Sequence, residues 1–281
     1  MRAIVTGGAG FIGSHIAERL LSQGVEVLVI DDLSAGKIRN IPYGIDFLKM
    51  NILDVTKETF CGVDWVFHNA ASKKNICLKD PEYDLEVNGK GALRMIRACV
   101  GAGVKHFVHA STGSVYGAAD LTTEDTPYNP TSYYGVSKLA GDRYVNLFVD
   151  QLPITILRYF HVYGPRQEND PKLGGVVAVF KRQIEEGGPI TIHGTGEQKR
   201  VFTNVDDVVT ANVRAANNSI TGTFNCCSDI QVSINQLAKT LNKDKLDVVH
   251  QPPLPGDVNE FHIDNSKIRN HFDMEFKKPT F

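Results

Sequence analysis

The chain has 281 residues, 42% of them hydrophobic and 22% charged, which is long enough for a larger domain and a smaller one to share a cleft. A formal net charge of -2 supplies no basic field, so neither nucleic acid nor an acidic membrane is an expected partner. No apolar run approaches the roughly 20 residues that cross a bilayer and no signal peptide is evident, so the cytoplasm is the expected location.

In chain order, Arg2–Thr6 reads as a strand, Ser14–Gln23 as a helix and Glu26–Ile30 as a second strand. Between the first two lies Thr6-Gly7-Gly8-Ala9-Gly10-Phe11-Ile12-Gly13, where Gly8, Gly10 and Gly13 satisfy GxGxxG and Gly7, Gly10 and Gly13 the GxxGxxG variant. Glycines there permit a tight turn and close approach of backbone to a pyrophosphate, and the helix N-terminus offers free N–H groups to it. Asp31 ends the second strand, where a carboxylate accepts from both ribose hydroxyls of an adenosine and repels a 2′-phosphate. NAD is therefore expected over NADP. The bland alternative for Asp31 is a turn cap, and the neighbouring Asp32 is ambiguous.

Further along, Asp64–His68 is a third strand, Gly91–Gly101 a helix, and His106–Ala110 and Pro153–Tyr159 later strands. Near-continuous hydrophobic strands alternating with helices predict an α/β fold, a doubly wound parallel sheet of Rossmann type. Beyond Val162 the pattern loosens. We expect an NAD-binding domain over 1–162 and a smaller substrate-binding domain over 163–281, with parts of 201–227 rejoining the first sheet. Five cysteines (Cys61, Cys77, Cys99, Cys226 and Cys227) form no metal-ligand spacing and suit a reducing compartment; no metal is expected. Cys226 and Cys227 fall in a probable-strand pattern and read as core residues.

Tyr134 and Lys138 form a YxxxK segment in a predicted helix, and their spacing puts both on one face. To take a proton from an alcohol at neutral pH, a phenol must be about three units more acidic than usual, roughly 4 kcal/mol. One ammonium about 5 Å away supplies roughly 3 kcal/mol at an effective dielectric near 20, and a positively charged nicotinamide ring would supply the rest. Tyr133 lacks a partner at the same spacing. Upstream, Ser111, Thr112 and Ser114 follow a strand, and one of these hydroxyls is placed to relay a proton.

These residues resemble the extended short-chain dehydrogenase/reductase family, in particular its NAD-dependent nucleotide-sugar epimerases and dehydratases, with the closest likeness to the UDP-galactose (UDP-glucose) 4-epimerase group. The likeness runs through TGGAGFIG at 6–13, VIDDLS at 29–34, HNAA at 68–71, STGSVYG at 111–117, SYYGVSK at 132–138, RYFHVYGPRQ at 158–167, ITIHGTGEQKR at 190–200, VDD at 205–207 and PGDV at 255–258. The resemblance implies that Tyr134 is the base and acid, Lys138 its activator and a ribose ligand, and Thr112 the hydroxyl beside them. Gly7, Gly10, Phe11, Ile12, Gly13, Asp31, Asp32, Asn51, Ile52, Ala70, Ala71 and Lys73 are the implied cofactor contacts. Asn88, Thr112, His161, His193, Arg200 and Asp257 are the implied substrate contacts.

Several positions depart from the family pattern. Asn51 replaces an Asp, His161 an Asn, His193 an aromatic ring, Val201 an Asp and Leu254 a second diphosphate-binding Arg. Dehydratases carry an Asp-Glu pair after the catalytic Thr; here Gly113 and Ser114 stand there. The expected activity is epimerisation of a nucleotide-diphosphosugar, a UDP-hexose, at carbon 4 by a homodimer. Epimerisation at another carbon, decarboxylation of a UDP-uronic acid, or a silent NAD-binding regulator stay open as alternatives.

Overall fold

The computed structural model describes residues 1–72, 77–119, 121–168, 175–243, 245–253 and 262–281. Among them the strands are β1 (Arg2–Thr6), β2 (Glu26–Asp31), β3 (Asp46–Lys49), β4 (Trp65–His68), β5 (His106–Thr112), β6 (Ile154–Tyr159), β7 (Val162–Tyr163), β8 (Ile190–His193), β9 (Lys199–Val201), β10 (Thr203–Asn204), β11 (Gly222–Cys226), β12 (Gln231–Ser233) and β13 (Val248–Gln251). The helices are α1 (Phe11–Ser22), α2 (Pro81–Leu85), α3 (Ala92–Ala102), α4 (Tyr133–Asn146), α5 (Val176–Glu186), α6 (Val205–Asn217), α7 (Ile234–Asn242) and α8 (Ser266–Phe272).

Seven of the described strands form one parallel sheet in the order β11-β6-β5-β4-β1-β2-β3. This is the Rossmann arrangement, and the order reverses between β1 and β4. Loops at the carboxyl ends of those two strands diverge there and leave a crevice for a ligand. The central strands are apolar without interruption because helices cover both faces. On one face α1, α6 and α8 bury Val5, Val29, Phe67 and Phe224; on the other α3 and α4 help bury Ile4, Val66, Phe107 and Ile156. Each large apolar side chain so buried contributes about 1.5–3 kcal/mol. A third core unites Phe180 of α5, Ile190 and Ile192 of β8, Phe202 and Leu237 of α7.

The strand and helix expectations hold with shifted ends. α1 begins at Phe11, three residues before the first periodic residue, because the glycine loop turns directly into it. β5 runs on to Thr112 and so carries the hydroxyl segment on the sheet itself. β3 was not expected: it is a short edge strand, DFLK, with no residue fully buried. Nor were α2 and the π turn Glu86–Gly91 that feeds α3. The wide turn lets the Asn88 amide reach α2 and α4. Cys226 and Cys227 are wholly buried core residues.

Candidate active site

The glycine loop is shaped by its own backbone. Gly7 has φ +67°, and a Cβ on it would meet the Ala70 nitrogen at 2.7 Å; one on Gly13 would meet the Gly7 carbonyl oxygen at 2.3 Å. The Gly7 N–H donates to Ile30 O (2.8 Å) and the Gly10 N–H to Gly7 O (3.0 Å). α1 then opens on Gly10 with no side-chain cap and no acidic residue in its first turn, so its positive end faces the crevice uncompensated.

That crevice is a cavity of about 770 Å³, within the range of small-molecule and cofactor sites. Its wall includes Gly7, Gly10, Phe11, Ile12, Gly13, Asp31, Asp32, Asn51, Ile52, Ala70, Ala71, Tyr134 and Lys138. Lys73 lies outside the described residues. Asp31 is both a turn cap and a cavity residue: its Oδ2 accepts from the Ala9 N–H (3.0 Å) and its Oδ1 from the Leu33 N–H (2.8 Å). A Cβ on Gly36 would crowd both oxygens at 2.8–2.9 Å. Asp32 accepts from Ser34 N–H (2.9 Å) and from the Asn51 amide (3.0 Å), while Asn51 Oδ1 accepts from Leu53 N–H (2.9 Å). The cradle fits a dinucleotide: a phosphate-sized gap at an open helix end, then a carboxylate, then the apolar Ile52.

Two clasps from late in the chain flank this wall. Arg166, held at φ +64°, reaches Glu18 of α1 at 2.7 Å, and Lys37 pairs with Glu168 at 3.0 Å. All but Glu18 also line the cavity. Asn69, Tyr83, Val87 and Tyr159 line it as well, and sequence reasoning did not single them out. The HNAA run following a strand was the available signal for Asn69.

Ser132 caps α4 by accepting from the Gly135 N–H (3.1 Å), which starts the helix so that Tyr134 and Lys138 face the sheet. Tyr133 is 62% exposed on the opposite side. The Lys138 ammonium donates to Ala110 O at 2.7 Å, and the Thr112 hydroxyl acts on the Tyr134 phenol in the direction that lowers its pKa. Thr112 Oγ1 in turn accepts from the Ser114 N–H (3.2 Å).

Burial, followed by the Asp84 carboxylate, pushes the Tyr134 phenol up to about 12, against the smaller help of the Thr112 hydrogen bond. Burial also pulls Lys138 below the ordinary lysine range, while Asp142 and Asp84 oppose the shift. Lys138 is not among the groups that shift the phenol in the chain by itself. A bound nicotinamide ring would add a positive charge beside the phenol.

The residues expected at the substrate are scattered. Asn88 is 2% exposed behind α4, its Oδ1 accepting from Ser72 N–H and its Nδ2 donating to Asp84 and to Ser137 Oγ, each at 3.0 Å. In this arrangement its amide braces the π turn against α4. His161 is exposed at φ +37° with its ring 6.0 Å from that of Phe202. His193 hydrogen-bonds Pro252 O at 3.1 Å, and Arg200, 8% exposed, donates to Lys199 O at 2.8 Å. None of these four lines the cavity. Asp257 and Leu254 lie outside the described residues.

A parallel sheet with its cavity at the switch point, a glycine cradle under an open helix end and a Tyr-Lys pair on the wall define a dinucleotide-dependent enzyme of short-chain dehydrogenase/reductase type. Residues 3–227 match the model of the NAD dependent epimerase/dehydratase family, and the chain belongs to that family; its cofactor is NAD. A UDP-glucose 4-epimerase of Mycolicibacterium smegmatis is 36% identical, over 96% of this chain and 91% of that protein. A UDP-N-acetyl-alpha-D-glucosaminuronate decarboxylase of Bacillus cytotoxicus is 33% identical, over 89% of this chain and 83% of its own. The crystal structure of a UDP-glucose 4-epimerase from Thermotoga maritima, solved with UDP-glucose, superposes with a TM-score of 0.91 at 35% identity, covering 99% of this chain and 94% of that one.

Proposed function

We propose that the protein interconverts UDP-hexoses epimeric at carbon 4. The observation that carries this reading is Tyr134 and Lys138 together on the wall of the cofactor cavity, one turn apart on the same face of α4. Held by the glycine loop, Asp31 and the Tyr134–Lys138 wall, NAD would supply the hydride acceptor and donor for the sugar carbon. Tyr134 takes the proton of the 4-hydroxyl, directly or through Thr112, as that hydride leaves, and gives it back as the 4-keto sugar is reduced. Gly113 and Ser114 offer no acid-base pair for eliminating water. In this reading Gly10 to Gly13 hold the pyrophosphate, Asp31 the adenosine ribose, and Tyr134 and Lys138 the nicotinamide ribose. Lys73 joins them at the nicotinamide ribose, and Arg200, His161, His193, Asn88 and Asp257 serve the nucleotide sugar.

Incubation with UDP-glucose, UDP-N-acetylglucosamine and UDP-glucuronate tests the reading. Interconversion of UDP-glucose and UDP-galactose without accumulation of NADH is expected. Tight NAD binding with no turnover on any sugar points instead to a regulator. The decarboxylase relative favours a second reading, in which the same oxidation makes a β-keto acid that loses carbon dioxide; release of carbon dioxide from UDP-glucuronate identifies it.

The homodimer expectation gains support from α4. Tyr133, Val136, Tyr144 and Leu147 form an apolar stripe 41–73% exposed, extended by Leu85 at 50%. Light scattering giving twice the chain mass supports a two-fold pair through this stripe. No helix among the described residues is long and apolar enough to cross a membrane. We place the protein in the cytoplasm on its cysteine usage.

A further inference from the structure

Two basic and two acidic side chains are buried around α4, three of them against the sheet and Asp84 on α2. Lys138, Asp142, Arg158 and Asp84 are each 3% exposed or less, and as two cations and two anions they balance. Tyr134, Lys138 and Asp142 follow one another at i, i+4 and i+8, so Asp142 stands one turn behind the lysine on the same helix face. From β5, Ser111 Oγ donates to Asp142 Oδ2 at 2.8 Å and His109 Nε2 lies 3.4 Å from Oδ1; from β6, Arg158 Nε lies 3.5 Å from Oδ2. His68 of β4 stacks on His109 at 5.3 Å. Arg158 is also claimed by the hydroxyls of Tyr116 and Tyr128, to which its two terminal nitrogens donate.

We propose that Asp142 is a positioning residue for the Tyr134–Lys138 pair, the buried countercharge that keeps the Lys138 ammonium protonated and directed at the Ala110 carbonyl. The reason is charge balance. A buried amine without a compensating anion sheds its proton. Arg158 cannot do so, because a guanidinium stays protonated in proteins. When Asp142 loses its charge, the quartet carries one excess positive charge, and Lys138 is the member able to relieve it. Asp84, the second carboxylate acting on Lys138, is already committed to Asn88 and Ser137. The neutral amine no longer helps to hold a phenolate at Tyr134. The loss of the Asp142 charge itself acts on Tyr134 in the opposite sense, so the kcat comparison reads the net of the two effects.

The inference rests on reading Tyr134 and Lys138 as the working pair, yet its first test needs no turnover. The titration of Lys138, followed in the folded protein by the Cε resonance of ¹³C-labelled lysine and assigned with Lys138→Met, should fall by at least one pH unit in Asp142→Asn, a tenfold loss of proton affinity. Asp142→Glu should return it to the wild-type midpoint. An unchanged midpoint in a folded Asp142→Asn protein overturns the proposal. If Asp142→Asn does not fold, Arg158→Gln makes the test with the opposite sign. Relieved of its competitor, Asp142 should then raise the Lys138 midpoint, and an unchanged or lowered midpoint overturns the proposal. In the sugar assay, Asp142→Asn should cut kcat at pH 7 tenfold or more at near-constant KM, with recovery in Asp142→Glu. Equal kcat in the three proteins overturns the link to Tyr134. Absence of turnover in the wild type removes the assigned reaction and leaves the lysine titration to decide the countercharge.

Discussion

Replacing Asp31 by Asn separates the cap that its carboxylate forms from the ribose contact proposed for it. As a cap, it accepts from the Ala9 and Leu33 N–H groups with its two oxygens, and it is 8% exposed. An amide keeps one acceptor, so one of the two N–H groups meets an NH2 instead. Leaving a buried donor unsatisfied costs about 1–3 kcal/mol, which for a chain of this size lowers Tm by roughly 2–10 °C. As a ribose ligand, Asp31 also loses a charge-assisted hydrogen bond of about 1.5–3 kcal/mol, or at least about a tenfold loss of NAD affinity. The repulsion that disfavours a 2′-phosphate disappears as well. Calorimetric titration of NAD and NADP into both proteins, with melting curves without cofactor, reads the two roles independently. A lower Tm with unchanged NAD affinity refutes the ligand role and leaves Asp31 a turn cap.

Tyr134→Phe should abolish turnover while NAD still binds, and Tyr133→Phe, at a position 62% exposed, should stay near wild-type rate; equal losses would end the assignment of Tyr134 as the base. His106 is buried against Thr155 Oγ1 at 2.8 Å, and burial lowers it to about 4. Its folded value is below its unfolded one, so the unfolded chain binds the proton first, and stability is lost as pH falls from about 6.5 toward 4, by about 3 kcal/mol for this group. His106→Gln should flatten the urea-unfolding stability across that window, with His68 and His109 accounting for the slope that stays; an unaltered slope contradicts the assignment. Arg200→Ala should weaken UDP binding at least about tenfold with NAD affinity unchanged. Unaltered UDP affinity in calorimetric titration means that the diphosphate is held elsewhere.

The half of the site that depends on backbone geometry was legible in the chain. Gly7 to Gly13 and Asp31 declare themselves because only glycine tolerates such close backbone approach and because a strand end fixes where a carboxylate points. Tyr134 and Lys138 were legible through helical spacing, and α4 keeps that spacing. Helix α2 and the π turn were hidden because Asn88 and Gly89 have low helix propensity, and only the contacts to Asp84, Ser137 and Ser72 make the wide turn worthwhile. The influences that oppose ionisation of Tyr134 were hidden for a related reason. Spacing reveals Lys138, but the burial of the phenol and the nearness of Asp84 emerge only once α2 folds against α4.

The sheet closes out of sequence. β6 ends at Tyr159, and its outer neighbour β11 begins only at Gly222, after a segment that supplies part of the third core. During synthesis, then, ITILRY waits with one row of backbone N–H and C=O groups unpaired, a β-branched edge of the sort that recruits other chains. A chain cut anywhere in residues 160–221 keeps that edge bare, so shortened versions of this protein should precipitate on expression even with the glycine loop and the Tyr-Lys helix intact. The last parallel strand acts as a selvedge, and the late-folding segment governs the solubility of the part that binds the dinucleotide.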